Sequence, residues 1–286
     1  MALYRIDKDP ELEAPSMVVA LDGWVDAGSA ATAAVDLLAE SGTLVASFDA
    51  DEIFDYRARR PTLEIVDGRP KALTWPELTV TASRIANRDL LLMTGAEPDY
   101  RWHDLSADVV KLAKQLGVAE WISLGAIPAA VPHTRPVPIL GTASKRGLLR
   151  AGVQPGPDGT LRVPAAAISV LDIAVSKAGI PSVGYFAQIP HYISGAYPGA
   201  SIELLATLGR HLGVELDMGR LPEEARLMRL RLDAATARED TTKTYVERLE
   251  AMVDEARLPS GDDLISEIER FLRDGGANLG GTGRPN

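Results

Sequence analysis

Short runs of consecutive apolar residues alternate along most of this chain with longer stretches whose apolar positions recur every three or four residues. Residues 17–21 (Met-Val-Val-Ala-Leu), 121–127 (Trp-Ile-Ser-Leu-Gly-Ala-Ile) and 182–189 read as strands buried on both faces. Residues 43–48, 78–85 and 89–94 read as further strands, and Ile139 with Leu140 as a short one. Helices are expected over the alanine-rich residues 27–40, over 106–116 with Gly117 as its stop, over 165–178, and over 200–212 ending at Gly213. One or two helical turns are expected at 144–151. The alternation predicts an α/β fold. Strand 17–21, helix 27–40 and strand 43–48 read as a βαβ unit, which implies that the two strands pair in parallel.

Residues 56–75 break the alternation. Leu63, Ile65 and Val66 lead into Asp67-Gly68, a favoured two-residue hairpin turn, and residues 71–74 return. A β-hairpin protruding from the core is expected, either an ordinary surface hairpin or an oligomerisation arm, because an isolated two-stranded hairpin is marginal without something to pack on. From residue 217 the strand pattern ends. Tyr245, Leu249, Met252, Val253 and Ala256 keep a helical stripe, and Leu264, Ile265, Ile268, Phe271 and Leu272 keep another. This predicts an α/β core over 1–216, a helical C-terminal lid over 217–274 and a flexible glycine-rich tail over 275–286.

Composition narrows the partners. A formal net charge of −10 argues against nucleic acid and against an anionic membrane. The chain has no cysteine, which excludes disulfides, thiolate catalysis and Cys-ligated metals and fits a reducing compartment. No apolar run approaches the roughly 20 residues needed to span a bilayer, and the first residues lack a signal-peptide pattern, so a cytoplasmic protein is expected. No G-x-S-x-G elbow, Walker A loop, H-E-x-x-H or EF-hand pattern occurs, and nothing in the spacing calls for a metal or a cofactor.

Candidate chemistry collects after four strands. Asp22, Trp24 and Asp26 follow the first; Glu97, Asp99 and Trp102 follow 89–94. His133, Thr134 and Arg135 sit on a proline-stiffened loop after 121–127, and His191-Tyr192 follows 182–189. Ends of parallel strands lie along one sheet edge, where α/β folds hold ligands. Each residue has a structural alternative. Asp26 either caps the first helix or stands beside an anion cradled at Gly28. Arg135 either holds a carboxylate or phosphate or pairs with Asp22, Glu97 or Asp99. His191-Tyr192 is a general base with a neighbouring donor or a structural pair. Trp24 and Trp102 form a stacking floor or belong to the core.

The blocks Asp22-Gly23-Trp24-Val25-Asp26-Ala27-Gly28, Gly95-Ala96-Glu97-Pro98-Asp99, Ala130-Val131-Pro132-His133-Thr134-Arg135-Pro136 and Ile189-Pro190-His191-Tyr192-Ile193 together resemble the proteasome assembly chaperone family, second-subunit type. They are most similar to its actinobacterial branch, whose members have no assigned function. The likeness runs over roughly residues 15–215. It implies a mixed central sheet flanked by helices, like the core of purine nucleoside phosphorylases, with a hairpin insertion, a helical lid and a homotrimer built through the hairpin. It implies no catalytic residues. Archaeal members dock through a hydrophobic–Tyr–any-residue C-terminus, whereas this sequence ends Gly283-Arg284-Pro285-Asn286.

Two functions compete on these grounds. One is a homo-oligomeric, chaperone-like assembly or binding protein acting on itself and on a protein partner. The other is an enzyme for a small anionic or nucleoside-like substrate held at the strand ends beneath the C-terminal helices. The second requires Asp26, Glu97, His133 and His191 to surround one hollow.

Overall fold

The computed structural model describes residues 2–8, 10–156 and 159–256. In chain order its elements are β1 (Tyr4–Ile6), β2 (Ser16–Asp22), a 3-10 turn (Ala27–Ser29), α1 (Ala30–Ala39), β3 (Thr43–Phe48), α2 (Ala50–Ile53), β4 (Thr62–Val66), β5 (Arg69–Thr74), β6 (Leu78–Ile85) and β7 (Arg88–Ala96). Then follow α3 (Trp102–Gln115), β8 (Glu120–Ala129), β9 (Ile139–Ala143), α4 (Ala167–Lys177), β10 (Ser182–Pro190), α5 (Pro198–Leu212), α6 (Leu221–Thr236) and α7 (Asp240–Ala256). The expected helix at 264–272 and the glycine-rich tail lie outside the described residues.

Eight strands form one mixed sheet in the order β1-β3-β6-β7-β2-β8-β10-β9. β7, β2, β8 and β10 are parallel neighbours, with Met17 opposite both Leu91 and Trp121, and Val183 opposite Ile122. Successive side chains of a strand point to opposite faces. In β2, Met17, Val19 and Leu21 therefore enter a core beneath α2, α3 and α4, while Val18 and Ala20 enter one beneath α1, α5 and the start of α6. Helices on both faces are what a continuous apolar strand requires.

Two expectations fail. β3 does not pair with β2; it pairs antiparallel with β1 and with β6, and the β6–β7 hairpin separates it from β2. Its direction is parallel to β2, but the contact implied by a simple βαβ unit is taken by β7. Residues 144–151 form bends and turns rather than helix. The apolar positions there (Leu148 and Leu149) pack on the core below α5 without a helical backbone.

β4 and β5 form a separate two-stranded antiparallel sheet, joined at Asp67 and Gly68. Both turn residues have positive φ (50° and 74°), as a twist-matched two-residue hairpin demands. All eleven hairpin strand positions are exposed, including Leu63 (47%), Ile65 (59%) and Leu73 (53%). The chain divides into one compact unit up to Ala235 and a second beginning at Thr236. The described part of the second is α7, in which the Arg248 guanidinium lies 5.9 Å from the centre of the Tyr245 ring.

One buried contact ties β8 to α4. Trp121 Nε1 donates to Asp172 Oδ1 at 2.7 Å, and the Ser123 hydroxyl donates to the same oxygen. Burial pushes the Asp172 carboxyl from 3.8 up to about 6. Between those values the folded chain keeps a proton that the unfolded chain releases. Stability from this group therefore falls as pH rises through roughly 4 to 6 and is constant above. Asp172→Asn retains Oδ1 as acceptor and has no charge to desolvate. Urea denaturation across that range is expected to show a flatter pH profile and higher stability at neutral pH for the variant; an unchanged profile would refute the assignment.

Candidate functional site

The carboxyl ends of β7, β2, β8 and β10 do lie side by side along one edge of the sheet, as four parallel neighbours must. The side chains there divide into groups rather than closing on one hollow.

Three of the four acids after β2 and β7, namely Asp26, Glu97 and Asp99, hold backbone. Asp26 is buried, and its Oδ1 accepts from Ala31 N at 2.8 Å and Thr32 N at 3.3 Å, while Thr32 Oγ1 donates to Oδ2 at 2.5 Å. This is the helix cap, supplied from five and six residues upstream because the 3-10 turn intervenes. Burial raises the Asp26 pKa against the opposing effect of these hydrogen bonds. Gly28 (φ 64°) lets that turn approach Tyr197, whose Cβ would lie 2.9 Å from any Cβ at this position. Glu97 bridges two segments, with Oε2 accepting from Trp24 N (2.9 Å) and Oε1 from Ala167 N at the start of α4 (2.7 Å). Asp99 Oδ2 accepts from Asp55 N at 2.8 Å. Asp22 is exposed and faces Arg59 across 3.5 Å. The acids weighed as partners for Arg135 are thus engaged elsewhere. Trp102 is half-buried, packs on the core and donates Nε1 to the Pro98 carbonyl at 2.7 Å, whereas the Trp24 ring is exposed.

His133 and Tyr192 come together. The Tyr192 hydroxyl accepts from His133 N at 2.8 Å and lies 2.7 Å from His133 Nδ1. An oxygen that already accepts has its own proton to give, so the neutral arrangement is O–H donated to Nδ1, with Nε2–H donated to Asp233 Oδ1 at 3.2 Å. Arg229, one turn earlier on α6, donates Nε to the same Asp233 oxygen (2.8 Å) and Nη1 to the His133 carbonyl (3.1 Å). The His133 side chain is fully buried. His191 is exposed, with Nδ1 3.1 Å from the Ala129 carbonyl and its ring edge-on to Tyr192. Beside this network is a cavity of about 260 Å³ lined by His133, Arg135, Tyr197, Glu203, Arg229 and Leu232. Thr134 is half-buried on the same loop. Neither Asp26 nor Glu97 is in its wall.

Asp233 and Arg229 escape a reading of the sequence, which shows them only as an i,i+4 charge pair on a polar helix face. A second tyrosine–histidine–acid chain also escapes it. Tyr185 OH lies 2.7 Å from His211 Nδ1, His211 Nε2 lies 3.2 Å from Glu120 Oε2, and Arg150 N donates to the tyrosine oxygen at 3.2 Å. The hydrogen bond to His211 holds the Glu120 carboxyl down at about 2. This chain joins the amino end of β8 to α5, away from the strand ends. Its repetition of the His133 pattern, backbone N–H to tyrosine oxygen included, marks the pattern as a way of stitching elements together. The stitch at His133 can also pass a proton between Tyr192 and Asp233 through the imidazole.

Fold and site together define a three-layer α/β protein with a projecting hairpin and a strand-end edge whose acids secure the main chain. The chain belongs to the PAC2 family, whose model matches residues 20–236. It is similar to a Corynebacterium glutamicum protein of unknown function (31% identity, TM-score 0.82, 88% of this chain and 97% of that one). A Mycobacterium tuberculosis protein of unknown function matches at 32% identity, with TM-score 0.82 over 88% of this chain and 91% of that one. Another Mycobacterium tuberculosis protein, described as a proteasome-assembly chaperone homologue, matches at 34% identity and TM-score 0.73 over 81% of this chain and 99% of that one. Comparison with curated protein sequences gives no match.

Removing the acceptor of a backbone N–H that water only partly reaches costs up to about 1–3 kcal/mol. Glu97→Gln, which sets an amide NH₂ against the Trp24 or Ala167 N–H, is expected to lose that much stability in urea denaturation. Tyr192→Phe, which strips His133 of two partners, is expected to lose a similar amount, about 1–3 kcal/mol. Wild-type stability in both would refute the backbone-holding role.

Proposed function

We propose that this protein is a homo-oligomeric, chaperone-like assembly factor of the cytoplasm, acting through its surfaces on other protein chains. The observation that carries this reading is the hairpin, a two-stranded sheet of its own with Leu63, Ile65, Leu73 and the adjoining Trp75 open to solvent. A hairpin is marginal alone, and exposed apolar side chains of this density mark an interaction surface. Edge-to-face packing of Tyr56 on Trp75 (4.7 Å) stiffens its root. Membership of the PAC2 family, and the likeness to a proteasome-assembly chaperone homologue, support a role in assembly. The commitment of Asp26, Glu97 and Asp99 to backbone N–H groups supports it as well.

In this reading three copies close a ring through the hairpin. Light scattering of the full chain is expected to give about three times the chain mass, as a closed cyclic trimer requires. The triple substitution Leu63→Ser, Ile65→Ser, Leu73→Ser is expected to give a folded monomer. A wild-type monomer, or a variant that still assembles, removes the hairpin from this role. The assembly function itself is tested by co-expression with proteasome subunits, where loss of the protein is expected to slow formation of complete particles.

The cavity beside His133 favours a second reading, in which Arg135 and Arg229 hold a small anionic or nucleoside-like ligand and the Tyr192–His133–Asp233 chain moves a proton. A ligand at about 100 times its dissociation constant adds about 2.7 kcal/mol of stability. Thermal-shift measurements with phosphates, carboxylates and nucleosides should show that gain; no shift with any of them eliminates this reading.

A further inference from the structure

A larger cavity, about 500 Å³, opens where β2 and β7 end. The main chain leaves β2 toward the face that carries α1 and leaves β7 toward the face that carries α3. The two connections diverge, and the crevice between them is the kind of place where open α/β sheets take ligands. Gly95 shapes its floor. With φ 140°, it passes so close to the start of β6 that a Cβ would sit 2.0 Å from the Glu77 carbonyl oxygen.

The walls carry both signs of charge. Asp22 closes β2, and Asp36 projects from α1 to accept a hydrogen bond from Thr94 Oγ1 at 2.8 Å. The two carboxylates oppose one another, which together with the larger effect of burial raises the Asp36 pKa. Facing them is Arg59 from the root of the hairpin. Its Nη1 is at the limit of hydrogen-bonding distance from Asp22, and its Nε is buried with no hydrogen-bond partner among the described residues. Nε itself is covered by protein, but the guanidinium lines the cavity and its ion pair with Asp22 is long, so its Nη groups can take an anionic oxygen from the cavity side.

Single-sign ligands fit poorly. An inorganic anion would satisfy Arg59 but confront Asp22, Asp36 and Glu77. A metal ion would suit the acids but confront Arg59 and Arg60, and no side-chain cluster of metal-holding geometry occurs among the described residues. A molecule with an anion and a cation a few ångströms apart satisfies both walls. We propose that this cavity binds a free α-amino acid with a polar side chain, its carboxylate on Arg59 and its ammonium between Asp22 and Asp36. Thr62, Thr74 and Glu77, toward the hairpin, meet the side chain. The site is distinct from the cavity beside His133, and its occupancy does not depend on the assembly reading. Since Arg59, Thr62 and Thr74 belong to the hairpin and its root, a bound amino acid also fixes the hairpin against the sheet.

Isothermal titration calorimetry of the full chain against the standard amino acids tests this. One or more polar amino acids are expected to bind once per chain, with the N-acetylated and amidated forms each weaker by about tenfold or more. Asp36→Asn keeps an oxygen for Thr94 and removes a charge that burial and Asp22 disfavour, so its ligand-free melting temperature should equal or exceed wild type while affinity falls about tenfold or more. Arg59→Gln should lose affinity similarly; if it does not fold, Asp36→Asn and the ligand series decide. The proposal is overturned by no binding at about 10 mM, by binding that ignores the substitutions, or by phosphate or glycerol binding as well as any amino acid.

Discussion

Each helix or loop that leaves the sheet starts with backbone N–H groups that no carbonyl of its own element serves, and another acceptor must take them. In this protein carboxylates do it. Asp26 receives the first amides of α1, Glu97 spans from the β2 turn to the first amide of α4, and Asp99 receives the amide of Asp55. Each therefore fixes the entry of a helix or loop onto the sheet. The placement of α1, α4 and the loop at Asp55 rests on these contacts. A carboxylate whose oxygens are already taken by hydrogen bonds makes a poor general base, and Glu97, with an amide on each oxygen, is the clearest case.

Local demands of this kind also decide which elements are legible in the sequence. β2, β8 and β10 are legible because strands buried on both faces are apolar at nearly every position, whatever surrounds them. The Asp67-Gly68 turn is legible because its backbone demands those residue types. The partners of β3 are not, since pairing is settled by which strand later slides in beside β2, and the β6–β7 hairpin arrives some thirty residues further on. α3 begins at Trp102, ahead of the expected Ser106, and Trp102 and Leu105 carry its apolar stripe one turn further toward the amino end.

Of the strand-end residues, His133 and Tyr192 can be expected near each other from sequence only in the sense that their strands are neighbours. Their acid, Asp233, lies a hundred residues away on an amphipathic helix, where it looks like any solvated charge. Long-range hydrogen bonds leave no periodicity behind. The paired occurrence of the tyrosine–histidine–acid stitch, once from β10 to α6 and once from β8 to α5, is visible only when three distant segments are seen together.

Among the described residues the hairpin made of β4 and β5 has no third strand on either side. Both of its long edges thus offer unpaired amides and carbonyls, each able to template an extended segment of any passing chain. Arg69 and Lys71 on β5 put charge along the ribbon, a device that discourages such additions without abolishing them. If the hairpin is the oligomerisation arm proposed above, a freshly made copy that has not yet met its mates is a seed for misdirected β-aggregation, and abundance and prompt self-recognition must rise together.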